Sequence, residues 1–213
     1  MHPNFVTPRE ARNLLWVDLI TNDKVLTMPS QNLPTLSPNE LAWVSYQVSE
    51  FIRQQRLKYM PSAEPLSPEQ KSAMRPFFPD AILDSARLLT LIDTRIQNPD
   101  FYQTLLSLGL DPALLPDFSN SMAAVTFQDV IVSHESFTNR LLFHELVHVT
   151  QYSKLGLSKF AAKYVEGFLQ GGGYDGIPLE INAYLLDSEF ANNPQKHFSV
   201  ESEVQSWIDA GKF

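Results

Sequence analysis

The sequence predicts an α+β protein, mostly helical, with a small sheet or edge hairpin beside one apolar helix and a helical region ahead of it. Three observations carry that expectation. A hydroxyl residue, then proline, then Glu or Gln two residues later, occurs three times in the first third of the chain; Ala123 to Ser133 is rich in β-branched residues; and Leu141 to Tyr152, LLFHELVHVTQY, is apolar on most sides of a helical period.

The three repeats are Thr7-Pro8-Arg9-Glu10, Ser37-Pro38-Asn39-Glu40 and Ser67-Pro68-Glu69-Gln70. Each places a hydroxyl at the N-cap, proline at the first helical position and a side chain able to reach back to the cap amide, so three helices start there. The first runs from about Pro8 to Ile20 and is followed by a loop, Asn22 to Leu36. The second runs from about Pro38 to Met60 with Leu41, Val44, Val48, Phe51 and Ile52 on one stripe. The third ends near Met74, because Pro76 and Pro79 interrupt it.

Asp84 to Asp93, containing SARLLTLI, reads as a strand, and Asn98-Pro99 opens a helix that stops at Gly109. After a proline-punctuated connection, Asp111 to Asn120, comes Ala123 to Ser133, an edge strand or tight hairpin broken at Gln128-Asp129. Beyond the apolar helix, Ser158 to Gln170 is amphipathic and ends at Gly171-Gly172-Gly173, which reads as a flexible joint. Helices then follow from Pro178, stopped by Asn192-Asn193-Pro194, and from Val200 to Ala210. Residues 1–213 are expected to form one domain, with an N-terminal helical part over 1–78 and the remainder over 79–213.

Composition narrows the function. The formal charge of −8 without clustered Lys or Arg argues against nucleic acid or an anionic membrane as partner. No run of about 18 apolar residues is present, and MHPNFVTPREAR has neither the basic nor the apolar region of a signal peptide, so a cytoplasmic protein is expected. The absence of cysteine leaves His, Asp and Glu as metal ligands.

Those ligands are present in the apolar helix, where His144, Glu145 and His148 form H-E-x-x-H. Residues four apart lie about 40° apart around a helix, so both imidazoles can reach one ion while Glu145 is offset enough to hold a water beside it. Zinc suits such a pair best. In an apolar helix two imidazoles and a carboxylate are costly unless a metal offsets them. A catalytic zinc takes three protein ligands and a water, so one more donor is required. Glu166 and Glu180 both qualify. Glu180 is favoured because its helix starts with proline after the glycine joint and carries small Ala183 one turn on, which allows a close approach.

Together, HELVHVTQY, the basic and aromatic helix after it and GYDGIPLEINAY resemble the gluzincin clan of zinc metallopeptidases, and more closely the small bacterial proteins with a DUF4157-type metallopeptidase domain. The resemblance covers about Ala123 to Asp187 and fades over the first seventy residues. It implies a zincin-like fold, zinc held by His144, His148 and the glutamate of an E-x-x-A motif, Glu180, and Glu145 as general base. The implied reaction is hydrolysis of a peptide or protein substrate through a metal-activated water, with extended substrate pairing to the strand Val125 to Val132. Tyr174, His134 and Arg140 are candidate oxyanion donors, although packing, a surface turn and a helix-start charge explain them as well. Tyr184 departs from the family pattern, since many relatives have aspartate there as partner to a histidine; either another carboxylate orients the histidine or the site is weaker. A zincin-fold binding protein that keeps its metal and cleaves nothing is the alternative.

Overall fold

A computed structural model of the chain describes residues 33–120 and 122–213, a mixed α+β architecture in which 57% of residues are helical around a four-stranded sheet. The helix expected from Pro8 and most of the loop after it lie outside the described residues.

The two described start signals act as their chemistry dictates. At Ser37 the hydroxyl accepts from Glu40 N while Glu40 Oε2 accepts from Ser37 N at 2.7 Å, opening α1 (Pro38–Tyr59). Ser67 and Gln70 form the same reciprocal pair and open α2 (Pro68–Met74), which ends before Pro76 as expected. The next stretch differs from the sequence reading. Asp80–Ser85 is a short helix, α3, set by Pro79 at its N-cap, and the strand is only Arg87–Thr90 (β2). Ile82 and Leu83 are adjacent and both buried, and one turn of helix points both into the core where a strand would send one outward.

The remaining strands are β1 (Glu64–Pro65), β3 (Ala124–Phe127) and β4 (Val130–Ser133), in the order β1-β2-β4-β3. β2 pairs with β4 in parallel, and the crossover this requires contains α4 (Tyr102–Ser107). β3 and β4 form the expected hairpin, with Gln128 turning the chain at φ 62°. Arg56 of α1 clamps the turn through Asp129 (Nη2 to Oδ2, 2.9 Å). β4 is buried along its whole length, which leaves β3 at the edge.

Behind the sheet lies α5 (Asn139–Leu155), capped by Thr138, and every residue from Leu141 to Tyr152 is buried. On one side Phe143 stacks on Phe190 at 4.4 Å and meets Phe77 and Phe78 edge-on, tying α5 to α7 (Pro178–Asn192) and to the turn after α2. α8 (Val200–Asp209) closes this core with Val200 and Val204. On the other side α6 (Leu157–Gln170) packs against α1, and Phe127 stacks on Tyr59. The α1 stripe expected from the sequence faces this second core, with Val44 and Ile52 buried and Leu41, Val48 and Phe51 partly buried. Trp43, by contrast, is exposed.

The glycine run is a close contact as well as a turn. A Cβ on Gly171 would stand 2.4 Å from the carbonyl oxygen of Gly176, and one on Gly176 would stand 2.2 Å from that of Gly171. The segment expected to be a flexible joint is therefore pressed against itself, which sets where α7 begins. None of the described helices is long and apolar enough to cross a membrane.

Candidate metal centre

α5 carries His144 and His148 one turn apart, and α7 packs along it with Glu180 near its start. Ala183, fully buried, lies in the core the two helices share. The three side chains converge: His144 Nε2 is 3.2 Å from His148 Nε2, and Glu180 Oε2 is 3.7 Å from the first and 3.5 Å from the second. All three are buried. Glu166 is elsewhere, half-buried on α6 and paired with Lys163 at 3.0 Å.

The outer nitrogens are committed. His144 Nδ1 lies 2.9 Å from Asp187 Oδ2, and Asp187 Oδ1 accepts from Arg140 Nη2 at 2.7 Å. His148 Nδ1 lies 2.9 Å from Gln151 Oε1. The Gln151 amide nitrogen donates to Leu179 O and Asn182 Oδ1, which leaves its oxygen as acceptor for the imidazole. Both histidines therefore donate from Nδ1 and, when neutral, present a bare Nε2 lone pair. Glu180 Oε2 has no hydrogen-bond partner. Two nitrogen lone pairs and a carboxylate oxygen aimed at one point repel unless a cation stands there.

The charges agree. Glu145, Glu180 and Asp187 are buried in this cluster with Arg140 as their cation, an excess of negative charge that is costly in a poorly solvated interior. The imidazoles respond: burial disfavours their charged form, yet Asp187 and Glu180 outweigh it and push His144 up to about 10, and Glu180 similarly raises His148. Burial would raise Glu180 too, but the two histidines hold it well below the usual carboxylate range. In metal-free protein a proton occupies the place for which a metal ion competes. His144, His148 and Glu180 could hold such an ion.

Glu145 sits beside the group, with Oε2 accepting from Thr126 Oγ1 of β3 at 2.7 Å. With the three converging residues it lines a cavity of about 130 Å³ whose other walls include α1, residues 99–118, β3 and α6. Of the expected oxyanion donors only Tyr174 lines this cavity, its phenol pushed well up by burial and by the Glu180 charge. Arg140 instead faces Asp187, and His134 is not among the lining residues. The ring of Tyr184 lies 4.6 Å from the His144 imidazole, and Asp187 supplies the carboxylate that meets Nδ1.

Asp187, Gln151, Asn182 and Thr126 were not singled out from the sequence. A signal existed for two of them. Asp187 lies seven residues after Glu180, and Gln151 seven after His144, and a spacing of seven returns to the same helical stripe. Thr126 had none, because its link to Glu145 depends on how β3 packs against α5. No family model, curated protein or solved structure matches the chain.

Proposed function

We propose that this protein is a zinc-dependent hydrolase with a zincin-like fold of the gluzincin type, most specifically a metallopeptidase in which Glu145 is the general base. One observation carries the reading. A triangle with sides of 3.2, 3.5 and 3.7 Å between His144 Nε2, His148 Nε2 and Glu180 Oε2 has its centre about 2.0 Å from each corner, the length of a zinc bond to imidazole or carboxylate. The donor set, two imidazoles and one carboxylate without thiolate, suits a catalytic rather than a structural zinc.

Bound zinc supplies a Lewis acid that polarises a carbonyl and acidifies water. The remaining work falls to side chains. Thr126 holds Oε2 of Glu145, leaving Oε1 to take a proton from the attacking water and return it to the leaving amine. Asp187 and Gln151 keep both imidazoles in the tautomer that presents Nε2. Tyr174, which lines the same cavity, would supply the hydroxyl for a developing oxyanion. The edge strand β3, joined to the site through Thr126, supports an extended peptide as substrate.

The test is metal content and turnover together. Purified protein loaded with zinc is expected to retain about one ion per chain, as a single three-ligand site requires. Glu145→Gln should keep the ion and lose hydrolysis of a peptide library. No retained zinc would remove the proposal; retained zinc without turnover by the wild type would leave a metal-stabilised binding protein.

A further inference from the structure

We infer that the cavity beside the metal centre is a specificity pocket for one bulky, uncharged apolar group of the substrate, an aromatic ring or a branched aliphatic side chain. This rests on the hydrolase reading above and adds the substrate class. The cavity walls and the catalytic group are continuous, since His144, Glu145, His148 and Glu180 line the same space as Val48, Phe51 and Phe118. A group attached to the atom under attack enters that space directly.

Three features select the occupant. Among the described residues lining the cavity, the only carboxylates are Glu145 and Glu180, and no Lys or Arg is present. A charged side chain would leave water without a partner. Part of the apolar wall is aromatic: Phe51 meets Phe118 at 5.5 Å, tilted by 43°, and Phe127 edge-on at 6.0 Å. Tyr102, also on the wall, has its hydroxyl committed to Pro116 O at 2.9 Å. Size is the third. The space of about 130 Å³ compares with an apolar cavity of roughly 150 Å³ that stays dry and takes up benzene.

The wall also has a particular origin. Val48 and Phe51 belong to α1, and Phe101 and Phe118 to the segment around α4, all outside the stretch from Ala123 to Asp187 that bears the metal ligands. The pocket thus joins walls from α1 and the segment around α4 to walls from β3 and α6, within the stretch that carries the chemistry.

The hydroxamates of phenylalanine, leucine, alanine and lysine test this, because each anchors at a metal through the same group and differs only in the side chain offered to the cavity. Their affinities for zinc-loaded protein are read by calorimetry. The phenylalanine and leucine compounds should bind about tenfold or more tighter than those of alanine and lysine, as burial of a large apolar group requires. Val48→Phe, which fills the cavity, should reduce the phenylalanine-to-alanine ratio to below about threefold, the transfer gain being lost. If that variant does not fold, the wild-type series decides alone. Affinities equal within twofold, or lysine matching phenylalanine, would overturn the pocket while leaving the proposed hydrolase intact. Failure of all four to bind protein that carries zinc would overturn both.

Discussion

Nδ1 of His144 stands 2.9 Å from Oδ2 of Asp187, joining α5 to α7 through the imidazole nitrogen that faces away from the converging ligands. Arg140, one turn before His144, holds the other carboxylate oxygen. The carboxylate therefore both fixes the ring and favours a cation on its far side. Asp187→Asn should weaken zinc binding by about 10- to 100-fold, as loss of such outer partners does, with little change in the far-ultraviolet circular dichroism. Competition against a chromogenic chelator measures it, and unchanged affinity would deny Asp187 this role.

Thr126 and Glu145 make a second pair that crosses from strand to helix. A hydroxyl donating to one carboxylate oxygen fixes the orientation of the carboxylate and leaves the other oxygen to face the water. Thr126→Val is expected to retain zinc and to lower kcat by about tenfold with KM little changed, the worth of one hydrogen bond to a charged group. A variant whose kcat matches the wild type, or whose loss lies in KM or in zinc content, would deny Thr126 a part in positioning Glu145.

Metal-free and metal-loaded protein should respond to pH in opposite senses. His144 is raised from an ordinary 6.5 to about 10, so its contribution to stability is complete below about 6.5 and is lost as pH rises through about 10. Glu180 and Asp187 are lowered from 4.5 and 3.8, so theirs is present above those values and is lost as pH falls. Without metal, the melting temperature should peak between about 4.5 and 6.5 and fall towards alkaline pH. With excess zinc the fall should disappear, because the ligands bind as deprotonated groups and acid now releases the ion. Thermal melts with a chelator and with zinc, from acid to alkaline pH, decide it; parallel curves would contradict the shared site.

Gly171 and Gly176 touch backbone to backbone at the entrance to α7. Gly176→Ala should cost about 1–3 kcal/mol, the usual cost of overpacking. It should also weaken metal binding, because Glu180 begins four residues later. Gly172→Ala meets open space and carries only the strain of φ 77°, so its metal affinity should stay at that of the wild type. Urea denaturation and chelator competition on the two variants separate contact from conformation.

Much of the architecture was legible because its causes are local. The capping boxes at Ser37 and Ser67 need only residues three apart, and α1 and α2 start where those pairs stand. The hairpin of β3 and β4 and the ends of α6 and α7 follow from turn and glycine signals. α3 was missed because DAILDS has no strong period, and its form comes from what Ile82 and Leu83 pack against. The glycine run was read as freedom, whereas in the folded chain the absent side chains make room for another backbone.

The sequence by itself determined that His144 and His148 share a helical face in an apolar helix with Glu145 beside them, since a spacing of four residues needs nothing beyond the helix to align it. It left Glu166 and Glu180 both eligible. Only the tertiary structure decided between them, by laying α7 along α5 and leaving Glu166 beside Lys163. The same packing enlisted Asp187 and Thr126, and walled the cavity with α1. Those relations join side chains far apart in the chain, and their strength comes from burial that exists only once the helices and the sheet have closed around them.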